Sequence, residues 1–263
     1  MKGELLNYSR KEKGHHIPRK LPMKKKPLVG SLFSGIGGLD LGLERAGMEI
    51  AWQVEKDLFC QTILQMRFPH VRLYPDVQSF IPGESSRVDI IAGGFPCQDI
   101  SQLGKKEGLR GDRSGLWFEM LRIICALRPR FVLLENVPNL LRRDFGTILT
   151  GLASCGYDAE WKVLSAAGSG APHLRERLFL IAHPNGFRLP RWPINRRRST
   201  FWEKGKEQLA RFLQTGVRLD LPEIGFCRMD DGVSQRMEQS RALGNAVVPQ
   251  LAQSIGEALI QTF

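Results

Sequence analysis

Three short groups of residues have the types and spacing to do chemistry on a bound molecule. Cys97 follows Pro96 in GGFPCQDIS, just past the apolar run 87–92. A thiol in such a loop meets reactants, and nearby cations or backbone donors favour its thiolate. Against this, a lone cysteine is more often a small buried hydrophobe. Glu135 and Asn136 end RFVLLEN (130–136). A carboxyl at a strand tip serves either as a positioned acid or as the partner of an arginine in a structural ion pair. Arg175 and Arg177 flank Glu176 ahead of the run 177–182 and have the same two readings, anchors for a polar ligand or ion-pair partners.

The turn FSGIGGLDLGLERAG suggests what else is bound. It follows an apolar run and opens a helical pattern, and Gly35, Gly37 and Gly38 let the backbone bend tightly and approach a cofactor. Glu55 closes the next apolar run about 20 residues beyond, where its carboxylate can accept both hydroxyls of a ribose. A nucleoside cofactor fits. Alone the pattern also suits a nicotinamide or flavin enzyme, or plain tight packing, although FxGxGG spacing rather than GxGxxG weakens the dinucleotide reading.

These groups sit at the ends of elements that must position them. From residue 28, short apolar runs alternate with amphipathic ones, which predicts strands joined by helices in a mostly parallel α/β sheet. Strands are expected at 28–33, 48–55, 87–94, 130–136 and 177–182, with helices at 38–47, near 57–67 and at 116–127. The last 17 residues carry a helical apolar stripe with Pro249 near its start. Strand ends are where an open α/β sheet places its ligands.

Composition bounds the rest. A chain of 263 residues holds one α/β core with a small appendage. No apolar run reaches the roughly 20 residues that span a bilayer, and no signal-peptide pattern follows the basic start, so a cytoplasmic protein is expected. Five cysteines without CxxC pairs or regular spacing argue against a disulfide framework or a zinc site and for reduced thiols. No metal is expected. A net charge of +11 suits a polyanionic partner, yet residues 1–27 hold nine basic side chains against two glutamates, which a solvated tail explains equally well.

Taken in order along the chain, Pro96-Cys97-Gln98, Glu135-Asn136-Val137 and Arg175-Glu176-Arg177 resemble the PCQ, ENV and RxR signatures of the DNA cytosine-5 methyltransferase family, small bacterial or phage type. The resemblance runs across 28–182 and again across 241–259. His173 departs from a glutamine common in the family, and its ninth motif is not evident before Gly244-Asn245. The resemblance implies a Rossmann-like sheet dependent on S-adenosylmethionine, with a small irregular target-recognition insertion. The expected division is a basic tail at 1–27, a catalytic and cofactor domain at 28–183, target recognition at 184–239 and a returning segment at 240–263.

It also implies roles. Cys97 is the nucleophile that adds to carbon 6 of cytosine and makes carbon 5 reactive. Glu135 is the acid at ring nitrogen 3, Arg177 orients the exocyclic oxygen, and Arg175 supports the site or a phosphate. For the cofactor, the matching positions are Phe33, Gly35, Ile36, Gly37, Gly38 and Glu55, then Asp76, Val77, Pro96, Leu116, Asn245 and Ala246. Because stacking hides carbon 6, the base must be extruded from double-stranded DNA. The glycine-rich basic segment after Cys97 is expected to close over the DNA, with Gln98, Ser101, Gln102, Leu103 and Arg113 in contact. Arg196, Arg197 and Arg198 are expected to grip phosphate; the bland alternative for their segment is a solvated loop. A companion restriction endonuclease is compatible with this reading. An RNA cytosine methyltransferase, a catalytically silent DNA-binding protein on the same fold, and a dinucleotide oxidoreductase are the rivals.

Overall fold

In the computed structural model the described residues are 25–96, 115–143, 145–166, 175–187, 189 and 246–263. Their apolar runs pair into one seven-stranded sheet: β1 Leu28–Leu32, β2 Glu49–Val54, β3 Arg72–Tyr74, β4 Ile90–Gly93, β5 Phe131–Asn136, β6 Tyr157–Ser165 and β7 Glu176–Pro184. The order is β3-β2-β1-β4-β5-β7-β6. The first five strands in that order are parallel, and β7 inserts antiparallel between β5 and β6. All four residues of β4 and all six of β5 are buried, as expected for central strands covered on both faces.

The covers are helices α1 Gly38–Arg45, α2 Leu58–Arg67, α3 Gly115–Leu127, α4 Phe145–Ser154 and α5 Pro249–Ile260. Trp117, Met120 and Ile124 of α3 and Ile148 and Leu152 of α4 pack with Leu32, Ile91 and Leu134 on one face. Leu43 of α1, Leu64 of α2 and Leu251 and Ile255 of α5 pack with Val29, Ile90 and Leu133 on the other. The terminal helix therefore reaches the layer of the first strand, and it does so by lying on α1. Small residues let the two backbones approach. A side chain at Gly42 would strike Ala252 and the Pro249 carbonyl, and one at Gly256 would come within 2.7 Å of Ala46.

Strand order reverses between β1 and β4, so the crevice outside their carboxyl ends is the place for a ligand. Among the described residues no helix is long and apolar enough to cross a membrane, and no group of His, Cys, Asp and Glu could hold a metal ion.

The expectation of reduced thiols is corrected at one place. Cys125 on α3 and Cys155 beyond the end of α4 are paired, with Cα atoms 5.5 Å apart, within the span of a disulfide. They lie 30 residues apart, one on α3 and one just past α4, a separation that gives no sequence signal.

Candidate active site

The turn leaving β1 is held in a demanding conformation. Phe33, Gly35 and Gly37 have φ of 56°, 55° and 77°. Glycine accepts this region freely, whereas an aromatic residue there is strained and persists only where its surroundings fix it. The fixing contacts are visible. Ser34 N–H donates to the Val54 carbonyl at 3.2 Å and Gly37 N–H to the Ser34 carbonyl at 2.9 Å. Gly35 N–H donates to Glu55 Oε2 at 2.7 Å, and Asp57 N–H to Glu55 Oε1 at 2.8 Å. Glu55 is thus both the clamp of the turn and a carboxylate held at the mouth of the crevice. Gly37 caps α1 without a side-chain hydrogen bond, so the helix start faces the crevice with its backbone.

Asp76 follows β3 and pairs with Lys56 at 3.0 Å. The Gln78 N–H bonded to it, with Lys56 beside it, holds its carboxyl below the usual range. Val77 turns into the core beside Trp52 and Phe80, and its carbonyl accepts from Arg122 at 3.1 Å. Leu116 and Phe33 rest half-buried against the same layer, and Ile36 is half-buried. Gly38 meets the returning segment, since a Cβ there would strike the Val247 carbonyl.

The second half of the site is built on β5. Glu135 is buried with Asn136 at the strand end. Burial pushes the Glu135 carboxyl up to about 7 against the opposing pull of Arg177 and Arg175. Arg177 Nε lies 3.0 Å from Glu135 Oε1, yet that oxygen is buried without a hydrogen bond: the pair is in ion-pair range but off hydrogen-bond geometry. A buried carboxyl near neutrality beside an arginine is equipped to give a proton to a ligand.

The same strand grips the segment that leads to Cys97. A Cβ on Gly94 would come within 2.7 Å of the Glu135 carbonyl and 2.8 Å of Glu135 Oε2, so only glycine lets the carboxyl lie against that backbone. Asn136 Nδ2 donates to the Phe95 carbonyl at 3.2 Å, while Asn136 Oδ1 accepts from Val137 N–H at 2.8 Å. Gly94 and Asn136 were not singled out for these contacts in sequence; their adjacency to Cys97 and Glu135 was the available signal.

Arg175 and Arg177 do different things. Arg177 faces Glu135, and its Nη1 also donates to the Glu176 carbonyl at 2.7 Å. Arg175 Nη2 donates to the Ala246 carbonyl at 2.9 Å, tying the start of β7 to the returning segment. Pro96 is described and exposed. Cys97, Gln98, Ser101, Gln102, Leu103, Arg113, Arg196, Arg197, Arg198 and Asn245 lie outside the described residues, as does most of the expected target-recognition region.

A mostly parallel sheet with an antiparallel β7 between β5 and β6, ligand turns after β1 and β2 and a buried acid on β5 define a Rossmann-like fold of the methyltransferase class. The family model for C-5 cytosine-specific DNA methylase matches residues 28–217. The chain belongs to that family. It is 39% identical over 162 residues to the type II methyltransferase M2.BsuMI of Bacillus subtilis, covering 59% of this chain and 41% of that one. It is 34% identical over 176 residues to M.HhaI of Haemophilus parahaemolyticus, covering 63% and 53%. Among solved structures it resembles a protein described as a DNA modification methyltransferase encoded within an E. coli prophage, with TM-score 0.53, 29% identity and coverage of 63% and 49%. The chain thus spans about half the length of these relatives.

Replacing Glu55 with Ala removes the clamp of the turn and, in the function proposed below, the acceptor for the cofactor's ribose, so S-adenosylmethionine binding should weaken by about tenfold or more; each tenfold corresponds to roughly 1.4 kcal/mol. Calorimetry would check it, with DNA affinity at saturating cofactor expected within about twofold of the original. A variant that binds the cofactor normally would remove Glu55 from the site.

Proposed function

We propose that the protein is a DNA (cytosine-5-)-methyltransferase acting on a cytosine extruded from double-stranded DNA. The observation that supports this most is the grip of β5 on the exit from β4. Glu135 lies against Gly94, and Asn136 holds the Phe95 carbonyl two residues before Cys97. The acid and the exit from β4, which leads toward Cys97 in sequence, are thereby tied together at the carboxyl ends of neighbouring strands.

The turn fits S-adenosylmethionine. Gly35 and Gly37 admit close backbone approach, α1 starts without a side-chain cap, and Glu55 and Asp76 present carboxylates at neighbouring strand ends. When bound there, the cofactor supplies an electrophilic methyl group. Glu55 would hold its ribose and Asp76 its adenine side.

The chain's own residues do the remaining work in this reading. The Cys97 thiolate forms a bond to carbon 6 of the cytosine, moving electron density toward nitrogen 3 and carbon 5. Glu135 gives its proton to nitrogen 3 as that density builds. Arg177 orients the exocyclic oxygen and holds the acid in place. After methylation, loss of the carbon 5 proton and departure of the Cys97 sulfur restore the aromatic ring. Gln98, Ser101, Gln102, Leu103 and Arg113 contact the DNA, Arg196 to Arg198 grip phosphate, and residues 184–239 choose the sequence. The type II description of the relatives supports a companion restriction endonuclease.

The test is to incubate the protein with methyl-labelled S-adenosylmethionine and, separately, unmethylated duplex DNA and RNA. Label on carbon 5 of DNA cytosine is expected. Label confined to RNA would replace the substrate class, and no transfer to either would leave only a binding protein.

A further inference from the structure

Beneath the cofactor turn lies a buried carboxyl with no place in the mechanism above. Asp40 is the third residue of α1 and is fully buried. Its Oδ1 accepts from Ser31 Oγ of β1 at 2.6 Å, and its Oδ2 accepts from Gln53 Nε2 of β2 at 2.6 Å. Ser34, within the turn, donates from its Oγ to Ser31 Oγ at 2.8 Å. One hydrogen-bonded chain thus runs from the turn through β1 to α1 and across to β2.

Packing alone does not call for this arrangement. Burying a carboxyl without a cation is costly, and both hydrogen-bond donors here are neutral. Burial pushes Asp40 up to about 6, with Glu44 and Glu55 adding to the rise. An apolar side chain of similar size would fill the space more cheaply. An acid at this position of a helix also commonly reaches back to its own first turn. Asp40 instead spends both oxygens on the two strands, leaving α1 without a side-chain cap.

We propose that Asp40 is a positioning residue for the cofactor: through Ser31 and Gln53 it locks the start of α1 against β1 and β2, and so fixes the Phe33 to Gly37 turn in its cofactor-ready shape. The turn needs such an anchor. Phe33 sits at positive φ, and the backbone contacts that hold the turn run to β2, to Glu55, within the turn itself or, from the Gly37 carbonyl, to Leu41 N–H of α1. Asp40 acts from below and touches no ligand. The proposal rests on this turn being the cofactor site.

The experiment compares Asp40→Ala, Asp40→Asn, Ser31→Ala and Glu55→Ala in the full chain. Readouts are S-adenosylmethionine affinity, duplex DNA affinity without cofactor, and thermal midpoint. Asp40→Ala should weaken the cofactor at least about tenfold while DNA affinity stays within about twofold. Asp40→Asn keeps the shape, accepts from Ser31, and meets Gln53 once the glutamine amide turns its oxygen inward; it should bind within about threefold of the original. Ser31→Ala should weaken the cofactor by about threefold or more, and with Asp40→Asn it decides the matter if Asp40→Ala fails to fold. Normal cofactor binding by Ser31→Ala and any folded Asp40→Ala, with Glu55→Ala weakened, would overturn the role of Asp40. Normal binding by Glu55→Ala as well would unseat the cofactor site itself. Parallel loss of DNA and cofactor affinity in both Asp40 variants would show general loosening and overturn the proposal.

Discussion

Cys97→Ser is expected to cut methyl transfer by on the order of 10⁴-fold or more, the range into which loss of an activated nucleophile falls, while cofactor affinity stays near the original. A serine hydroxyl is scarcely ionised near neutral pH, whereas a thiol beside cations supplies an appreciable thiolate fraction. The surroundings that the structure describes are compatible with that nucleophile. Glu135 presses on Gly94, Asn136 holds the Phe95 carbonyl, and exposed Pro96 leads out of the core. A second readout separates covalent chemistry from binding. Duplex DNA carrying 5-fluorocytosine should trap the original protein as a complex that survives denaturation, because fluorine cannot leave carbon 5 as a proton does. Cys97→Ser should form none. Equal turnover, or an adduct still formed by the variant, would move the nucleophile elsewhere.

The parts of the fold that were legible in sequence are those whose burial is continuous or whose backbone requires glycine. LVGSL, IIAG and FVLLEN are central strands, and their apolar runs give little else to choose. The turn at Gly35 to Gly38 and the stop at Gly47, with φ of 100°, announce themselves because left-handed backbone selects glycine. Three elements left weaker traces. β3 is only three residues long and none of it is fully buried. β6 is an edge strand in which Asp158, Glu160 and Lys162 alternate with Tyr157, Ala159, Trp161 and Val163, so it lacks the continuous apolar run by which the central strands are recognised. α4 carries two glycines and two threonines, which dilute its apolar stripe.

The site was legible by residue type more than by contact. The resemblance named Glu135 and Arg177, but their approach depends on β7 entering antiparallel beside β5. Glu135 then pairs with Phe179, and Arg177, two residues earlier on β7, comes alongside the acid. Asp40 shows the opposite case. Within GLDLGLER it passes for one polar residue on an amphipathic helix, and nothing local says that Ser31 and Gln53, from two different strands, converge on it. The Arg175 tie to Ala246 spans 71 residues and is equally silent in sequence.

Glu135→Gln should lose about 10² to 10⁴-fold in the rate of methyl transfer, the usual weight of a positioned acid, because an amide of the same shape can donate a hydrogen bond but cannot give up its proton. Its pH signature should be as telling as its size. Burial lifts the Glu135 carboxyl from 4.5 to about 7, with Arg177 and Arg175 opposing. The protonated form therefore dominates below about pH 7, and single-turnover rates of the original protein should decline above that point, while the variant loses this limb. Stability should fall with rising pH as well. Because the folded carboxyl holds its proton to higher pH than the unfolded one, the folded state binds the extra proton between pH 4.5 and about 7, and stability falls as pH rises through that window. At about 1.4 kcal/mol per pH unit, the contribution lost by pH 8 is about 3 kcal/mol as an order of magnitude. Glutamine carries no such penalty, so Glu135→Gln should melt at or above the original at pH 8 and lose that advantage toward pH 5. Thermal melts across this range, run beside single-turnover rates, would test both halves. A variant with the original rate, or one that is less stable at pH 8 than at pH 5 relative to the original, would show that Glu135 works as the charged partner of Arg177 rather than as a proton donor.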